Sequence, residues 1–141
     1  MCRQTIFYPF LHASKFGRGT ALRPIVDSPK HDTRDYTDVP SLEAAAVVNE
    51  AEGELTLFAV NRNLDESLNA SCYLRGFEEY SVAEHIALAS EDLKAVNTIA
   101  NPNAVVPRVR RDSIRDMGKD GFAVELGKAS WNVIRFTKNA R

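Results

Sequence analysis

Leu68, Ala70, Cys72 and Leu74 alternate with Asn69, Ser71, Tyr73 and Arg75. Successive side chains of a β-strand point to opposite faces, so this period of two reads as a strand buried on one side. Phe122, Val124 and Leu126 repeat the rhythm against Ala123 and Glu125. Tyr80–Leu88 reads as a further strand, with Val82, Ile86 and Leu88 on one face, and "SWNVIRF" as the last. In residues 55–61, Leu55, Leu57 and Ala59 face one way and Thr56, Phe58 and Val60 the other. Both sides are largely apolar, which predicts a central strand covered on each face.

Turn chemistry separates these runs. "NEAEGE", with Gly53, joins Ser41–Val48 to residues 55–61 as a hairpin. "NRNLDES", Gly76–Glu79 and Gly127 mark further turns. Thr20–Val26 is a possible strand that Pro24 confines to an edge or a bulge. "DSPKHDTRDYTDVP" reads as a loop, residues 90–104 as polar and irregular, and residues 105–121 as a long connection with one short strand. About seven strands at short spacing predict an all-β, antiparallel β-sandwich.

The N-terminus breaks the pattern. Gln4–Tyr8 reads as extended, Pro9 suits the first turn of a helix, and Gly17 suits its stop. Phe10, Ala13 and Ser14 would line one side of that helix. One strand and one helix form the repeating unit of an α/β fold, and here the unit has no companions. The expectation is a chain that begins inside a larger protein.

Chemistry is sparse. The pairs Asp65–Glu66, Glu78–Glu79 and Glu91–Asp92 all fall in turns, where solvated surface is the simpler reading. His12, His31 and His85 lack metal-ligand spacing, and Glu84 and His85 are strand neighbours that point to opposite faces. Ser14 and Ser130 have no nucleophile-elbow context, and no glycine motif cradles phosphate. Arg108, Arg110, Arg111, Arg115 and Lys119 form a basic stretch that Asp112, Asp116 and Asp120 dilute. With a net charge of −1, no nucleic-acid partner is expected. No apolar run approaches the roughly eighteen residues of a membrane span, so no membrane partner is expected either. Tyr73, Tyr80 and Trp131 are candidate sugar-stacking residues, although Val133 and Ile134 beside Trp131 favour its burial. Cys2 and Cys72 read as reduced thiols of a cytoplasmic protein, with Cys72 a small core residue. Leu57, Phe58, Val124, Trp131 and Val133 are expected in the sandwich interior.

Five segments in order, "RQTIFYPFLHASKFGRG", "DSPKHDTRDYTDVPSLEAAAV", "LTLFAVNRNLDESL", "LRGFEEYSVAEHIAL" and "SWNVIRF", resemble the C-terminal portion of family-51 α-L-arabinofuranosidases. The resemblance spans nearly the whole chain and is weakest at residues 108–121. It implies a (β/α)8 barrel that carries the chemistry and a jelly-roll-like β-sandwich attached to it. Thr5–Tyr8 would be the last barrel strand and Pro9–Phe16 its helix, giving a barrel remnant at residues 1–19 and a sandwich domain at residues 20–141. The family releases terminal α-L-arabinofuranosyl groups from arabinan, arabinoxylan and their oligosaccharides with retention, using two barrel glutamates. Neither glutamate motif matches a residue here, so no catalytic, cofactor-binding or metal-binding residue and no cofactor is assigned. The family's sandwich also takes a strand from the extreme N-terminus of the full chain, which this sequence lacks. The implied partner is the catalytic barrel, through which arabinose-containing oligosaccharides would be met. Homo-oligomer formation is expected as well, because Ile6, Phe7, Phe10 and Leu11 would be buried only in a complete barrel. The alternative is a carbohydrate-binding or oligomerisation sandwich without catalysis.

Overall fold

The computed structural model describes residues 3–139. It opens with helix α1 (Phe7–Phe16), followed by β1 (Thr20–Leu22), β2 (Lys30–His31), β3 (Val39–Pro40), β4 (Leu42–Asn49), β5 (Glu54–Asn61), β6 (Leu68–Cys72) and β7 (Tyr80–Leu88). Then come β8 (Arg108–Arg110), β9 (Ile114–Asp116), a 3-10 turn at Gly118–Asp120, β10 (Phe122–Leu126) and β11 (Ser130–Lys138). Six strands form an antiparallel sheet in the order β1-β4-β5-β11-β7-β8, and β6-β10-β9 form a smaller one. The doubly apolar run at residues 55–61 is indeed central, flanked by β4 and β11.

The two sheets enclose the main core. Leu55, Ala59, Ile134 and Phe136 of the large sheet meet Val124 and Leu126 of the small one. Leu68, Ala70 and Cys72 supply the half-buried face that their period of two predicted. Burial pushes the Cys72 thiol up to about 11, so it stays protonated at neutral pH and serves as packing. Cys2 lies outside the described residues.

The opposite face of the large sheet is also covered. Cross-strand partners share a face, and Phe58, Val133 and Ile86 are in register across β5, β11 and β7. They lie on the side away from the small sheet, where Trp131 stacks on Phe58 with ring centroids 5.7 Å apart. So only Leu57 and Val124 of the five expected interior residues line the inter-sheet core. Phe58, Trp131 and Val133 belong to the second packing layer, between the sheet and α1.

Several expectations are corrected. Gln4–Tyr8 is not extended: Thr5 and Ile6 form a turn, and the helix begins at Phe7. Among the described residues no strand lies beside this segment to supply a ladder, whereas Phe7 N–H donates to Gln4 O and Tyr8 N–H to Thr5 O. Pro9 then occupies the third helical position, where its missing N–H is still no loss. Phe10 is exposed, and Tyr8 and His12 form the buried side instead of Phe10, Ala13 and Ser14. The strand at Thr20–Val26 stops at Leu22, before Pro24. The loop from Asp27 to Pro40 contains the small β2-β3 ribbon, and residues 105–121 hold two short strands in place of one. Val82 does not share a face with Ile86. Arg135 pairs with Glu84 and Phe136 with Val82, so Ala83 is an extra residue, a β-bulge that resets the alternation.

Candidate functional site

Three groupings of chemistry-bearing side chains emerge. The first lies between the sheets. Asn132 on β11 has Ala59 and Ala87 as its cross-strand neighbours, and these small residues leave room for polar side chains. Asn132 Nδ2 donates to Ser130 Oγ at 2.8 Å and to Ala59 O at 3.3 Å, which turns Oδ1 toward His85. Oδ1 only accepts, so His85 Nε2 carries the proton and donates to it at 2.9 Å. His85 Nδ1 accepts from the Ser113 hydroxyl at 2.6 Å. Burial pushes the His85 pKa below its ordinary value, and Arg110 adds to that; the bond to Asn132 works against it.

Serine, histidine and asparagine in line are the elements of a nucleophilic triad. This one has no room for a substrate: His85 and Asn132 are each 0% exposed and Ser113 is buried. Its chemistry is that of a satisfied polar core. As the alternation required, Glu84 points to the other face of β7.

There Glu84 belongs to the second grouping. Arg135 reaches Glu84 Oε1 at 2.7 Å and Glu54 Oε1 at 3.0 Å, and its guanidinium lies 4.4 Å from the centre of the Phe16 ring. These carboxylates are brought together by strand register, which the sequence reading missed. Both are held by one cation, so they are not an acid and nucleophile poised across a glycosidic bond. The three expected pairs are no closer to that role. Asn63 Oδ1 accepts from the backbone N–H groups of Asp65 and Glu66, Glu78 caps the Gly76 N–H, Glu79 meets Lys138 at 3.2 Å, and Glu91 meets Lys128 at 3.3 Å. Among the described residues no cluster of three or more His, Cys, Asp or Glu residues is arranged to hold a metal.

The third grouping is the seat of α1. The Trp131 indole N–H donates to His12 Nδ1 at 3.0 Å, while Tyr8 packs with Leu88 and Val105. Asn97 fastens the neighbouring loop: its Nδ2 donates to Arg3 O at 2.7 Å and to Val105 O at 2.8 Å, and its Oδ1 accepts from Val105 N–H. The helix therefore turns Tyr8 and His12 inward and its purely apolar side outward. Ile6 is 64% exposed and Phe10 72%, with Phe7 and Leu11 beside them; Leu93, Val96 and Ile99 are exposed on the adjoining loop. These neighbouring exposed apolar side chains are a candidate contact surface.

The other singled-out residues do not converge. His31 bonds Ser41 Oγ at 3.1 Å in the polar loop, and Ser130 serves the Asn132 network. Arg108 and Arg110 sit on β8 and Arg115 on β9, in different sheets. Tyr73 is exposed while Tyr80 is buried and Trp131 is half-buried beneath α1, so the three aromatics make no common platform.

Residues 1–130 match the family described as alpha-L-arabinofuranosidase C-terminal domain. The chain is 49% identical over 136 residues to an intracellular exo-alpha-(1->5)-L-arabinofuranosidase of Halalkalibacterium halodurans, covering 96% of this chain and 26% of that one. It is 46% identical over 138 residues to the intracellular exo-alpha-(1->5)-L-arabinofuranosidase 1 of Bacillus subtilis, covering 98% and 27%. Among solved structures, a family 51 alpha-L-arabinofuranosidase from Bifidobacterium longum superposes with a TM-score of 0.86 at 31% identity, over 96% of this chain and 25% of that one. The chain thus spans about a quarter of the length of these relatives.

Proposed function

The chain belongs to the C-terminal domain family of the α-L-arabinofuranosidases, and from that premise we propose that it is the non-catalytic sandwich that braces the catalytic (β/α)8 barrel of a retaining exo-arabinofuranosidase. The observation that carries this reading is the orientation of α1. His12 and Tyr8 tie the helix to the sandwich, while Ile6, Phe7, Phe10 and Leu11 face outward as an apolar surface. Residues 1–19 then belong structurally to the barrel and residues 20–141 to the sandwich. Terminal α-L-arabinofuranosyl groups of arabinan or arabinoxylan oligosaccharides are the substrate of the whole, met through the barrel. The names of the relatives support an arabinofuranoside substrate and a cytoplasmic location. The apolar face also supports self-association.

The test pairs this chain with a separately produced barrel portion of the Halalkalibacterium halodurans relative, using a chromogenic α-L-arabinofuranoside. The chain alone should release no chromophore. It should bind the barrel portion and raise its melting temperature, and Phe10→Ser should weaken that binding. Turnover by the repurified chain that disappears on changing one of its own Glu or Asp residues would overturn the proposal.

A further inference from the structure

We propose that α1 is held to the sandwich by a proton-sensitive latch, the bond from the Trp131 indole N–H to His12 Nδ1, and that protonation of His12 releases the helix. The argument begins with donor chemistry. An indole N–H can only donate, so the bond needs an unprotonated Nδ1. Protonation would set one N–H against another at 3.0 Å. The imidazole cannot simply turn to water, because His12 is 6% exposed and stacks on Phe16 with ring centroids 6.2 Å apart.

The surroundings do not rescue an imidazolium. Lys15 faces it from α1, Arg135 lies nearby on β11, and Glu84 faces it from β7. Glu84 favours the cation, but its Oε1 lies 2.7 Å from Arg135, and Glu54 of β5 is likewise paired with Arg135. The loop packed on this seat contributes Ala95, Val105 and Val106, which carry no charge. Burial first and Lys15 second push the His12 pKa down, and Glu84 opposes them without reversing the direction.

Apart from this bond the helix is held by the packing of Tyr8 on Leu88 and Val105 and of Phe16 on Arg135. It has ten residues and no side-chain N-cap, and helices this short need tertiary contacts to persist. Between the docked and free pKa values of His12, one proton is taken up on release, so the undocked population rises about tenfold per pH unit. The pose of the apolar face of α1, and whatever grips it, thereby follows pH. The latch rests on contacts within this chain and not on the identity of a partner.

Trp131 is the sole tryptophan, so the latch carries its own reporter. The experiment titrates Trp131 fluorescence of the chain and of His12→Asn, which keeps a neutral acceptor near the Nδ1 position, from about pH 7.5 to about pH 4.5. The native chain should shift to the red, and trypsin cleavage at Lys15 and Arg18 should accelerate toward tenfold per pH unit, while its β-sheet circular dichroism holds. His12→Asn should stay flat. A flat native chain, an identical transition in the variant, or global unfolding at the same midpoint overturns the proposal. Should the variant fail to fold, the indole N–H resonance of the native chain decides. It must titrate with the midpoint of the His12 ring protons, and an unrelated midpoint overturns the latch.

Discussion

His85 and Asn132 sit on neighbouring strands, β7 and β11, and their side chains meet at 2.9 Å with neither reaching solvent. That bond completes a relay in which each buried polar group answers another, from Ser113 through His85 and Asn132 to Ser130 and the Ala59 carbonyl. Asn132→Ala leaves the His85 N–H without an acceptor. The expected loss is at least about 2 kcal/mol, since each orphaned buried group costs about 1–3 kcal/mol. Urea denaturation measures it, and a change near zero would mean that the relay adds nothing to stability.

The same residue gives stability a pH dependence. The pKa of His85 and that of His12 are lowered from 6.5 in the folded chain, chiefly by burial. Below 6.5 the unfolded chain therefore binds protons that the folded chain does not. The stability present above 6.5 is lost as pH falls from there through the two folded-state values. The urea midpoint should drop between about pH 7.5 and about pH 5.5. A midpoint that rises over that range contradicts the assignment.

Phe58 is buried under Trp131 on the helix-covered face of β5. Phe58→Ala should cost about 3–5 kcal/mol, the range for a buried phenylalanine. It should also alter the Trp131 emission of the folded state, because the stacked ring is its neighbour. A loss under about 1 kcal/mol would place Phe58 at the surface.

Gly121 and Gly76 have nearly the same φ, 82° and 83°. At either position an alanine is strained, by about 1–3 kcal/mol. Their surroundings differ. A Cβ on Gly121 would lie 2.1 Å from the Cys72 carbonyl oxygen, whereas at Gly76 nothing lies within 4 Å. Gly121→Ala should therefore be clearly the more destabilising, by parting β10 from β6 where Phe122 pairs with Cys72. Equal thermal shifts for the two variants would refute the close approach.

The outward face of α1 should make this chain self-associate. Size-exclusion chromatography with light scattering should show species larger than a monomer at high concentration, and Ile6→Ser with Phe10→Ser should return them toward the monomer. A clean monomer in the native chain would mean that the face is covered within one copy.

The strands were legible because a period of two is written into adjacent residues, and the breaks at Gly53, Gly76 and Gly127 are local as well. Membership of a sheet is not local. Phe122–Leu126 and Ser130–Lys138 are near neighbours in sequence, yet β10 belongs to the small sheet and β11 to the large one. The doubly apolar run at residues 55–61 announced a cover on each side without saying what the covers were. One is α1, and the bond from Trp131 to its His12 joins positions 119 apart, which no spacing rule reaches. The facing of Val82 failed because a bulge has no signature in hydropathy. The family emerged from the order of several segments together, while the buried Ser113-His85-Asn132 relay needed β7 and β11 in register and the bend at Ser113 brought against them before it could be seen.

The bulge at Ala83 has a bearing on how this fold can change length. Tyr80 and Val82 already face the small sheet, as do His85 and Ala87, and the added residue lies between the two sets. Losing the Ala83 codon would leave every other side chain of β7 on the side it now occupies and restore a regular ladder with β11. The same deletion within β11 would turn Ile134 and Phe136, or their neighbours, out of the core. Position 83 is therefore a joint at which descendants of this chain can shorten by one residue while the rest of the strand keeps its place.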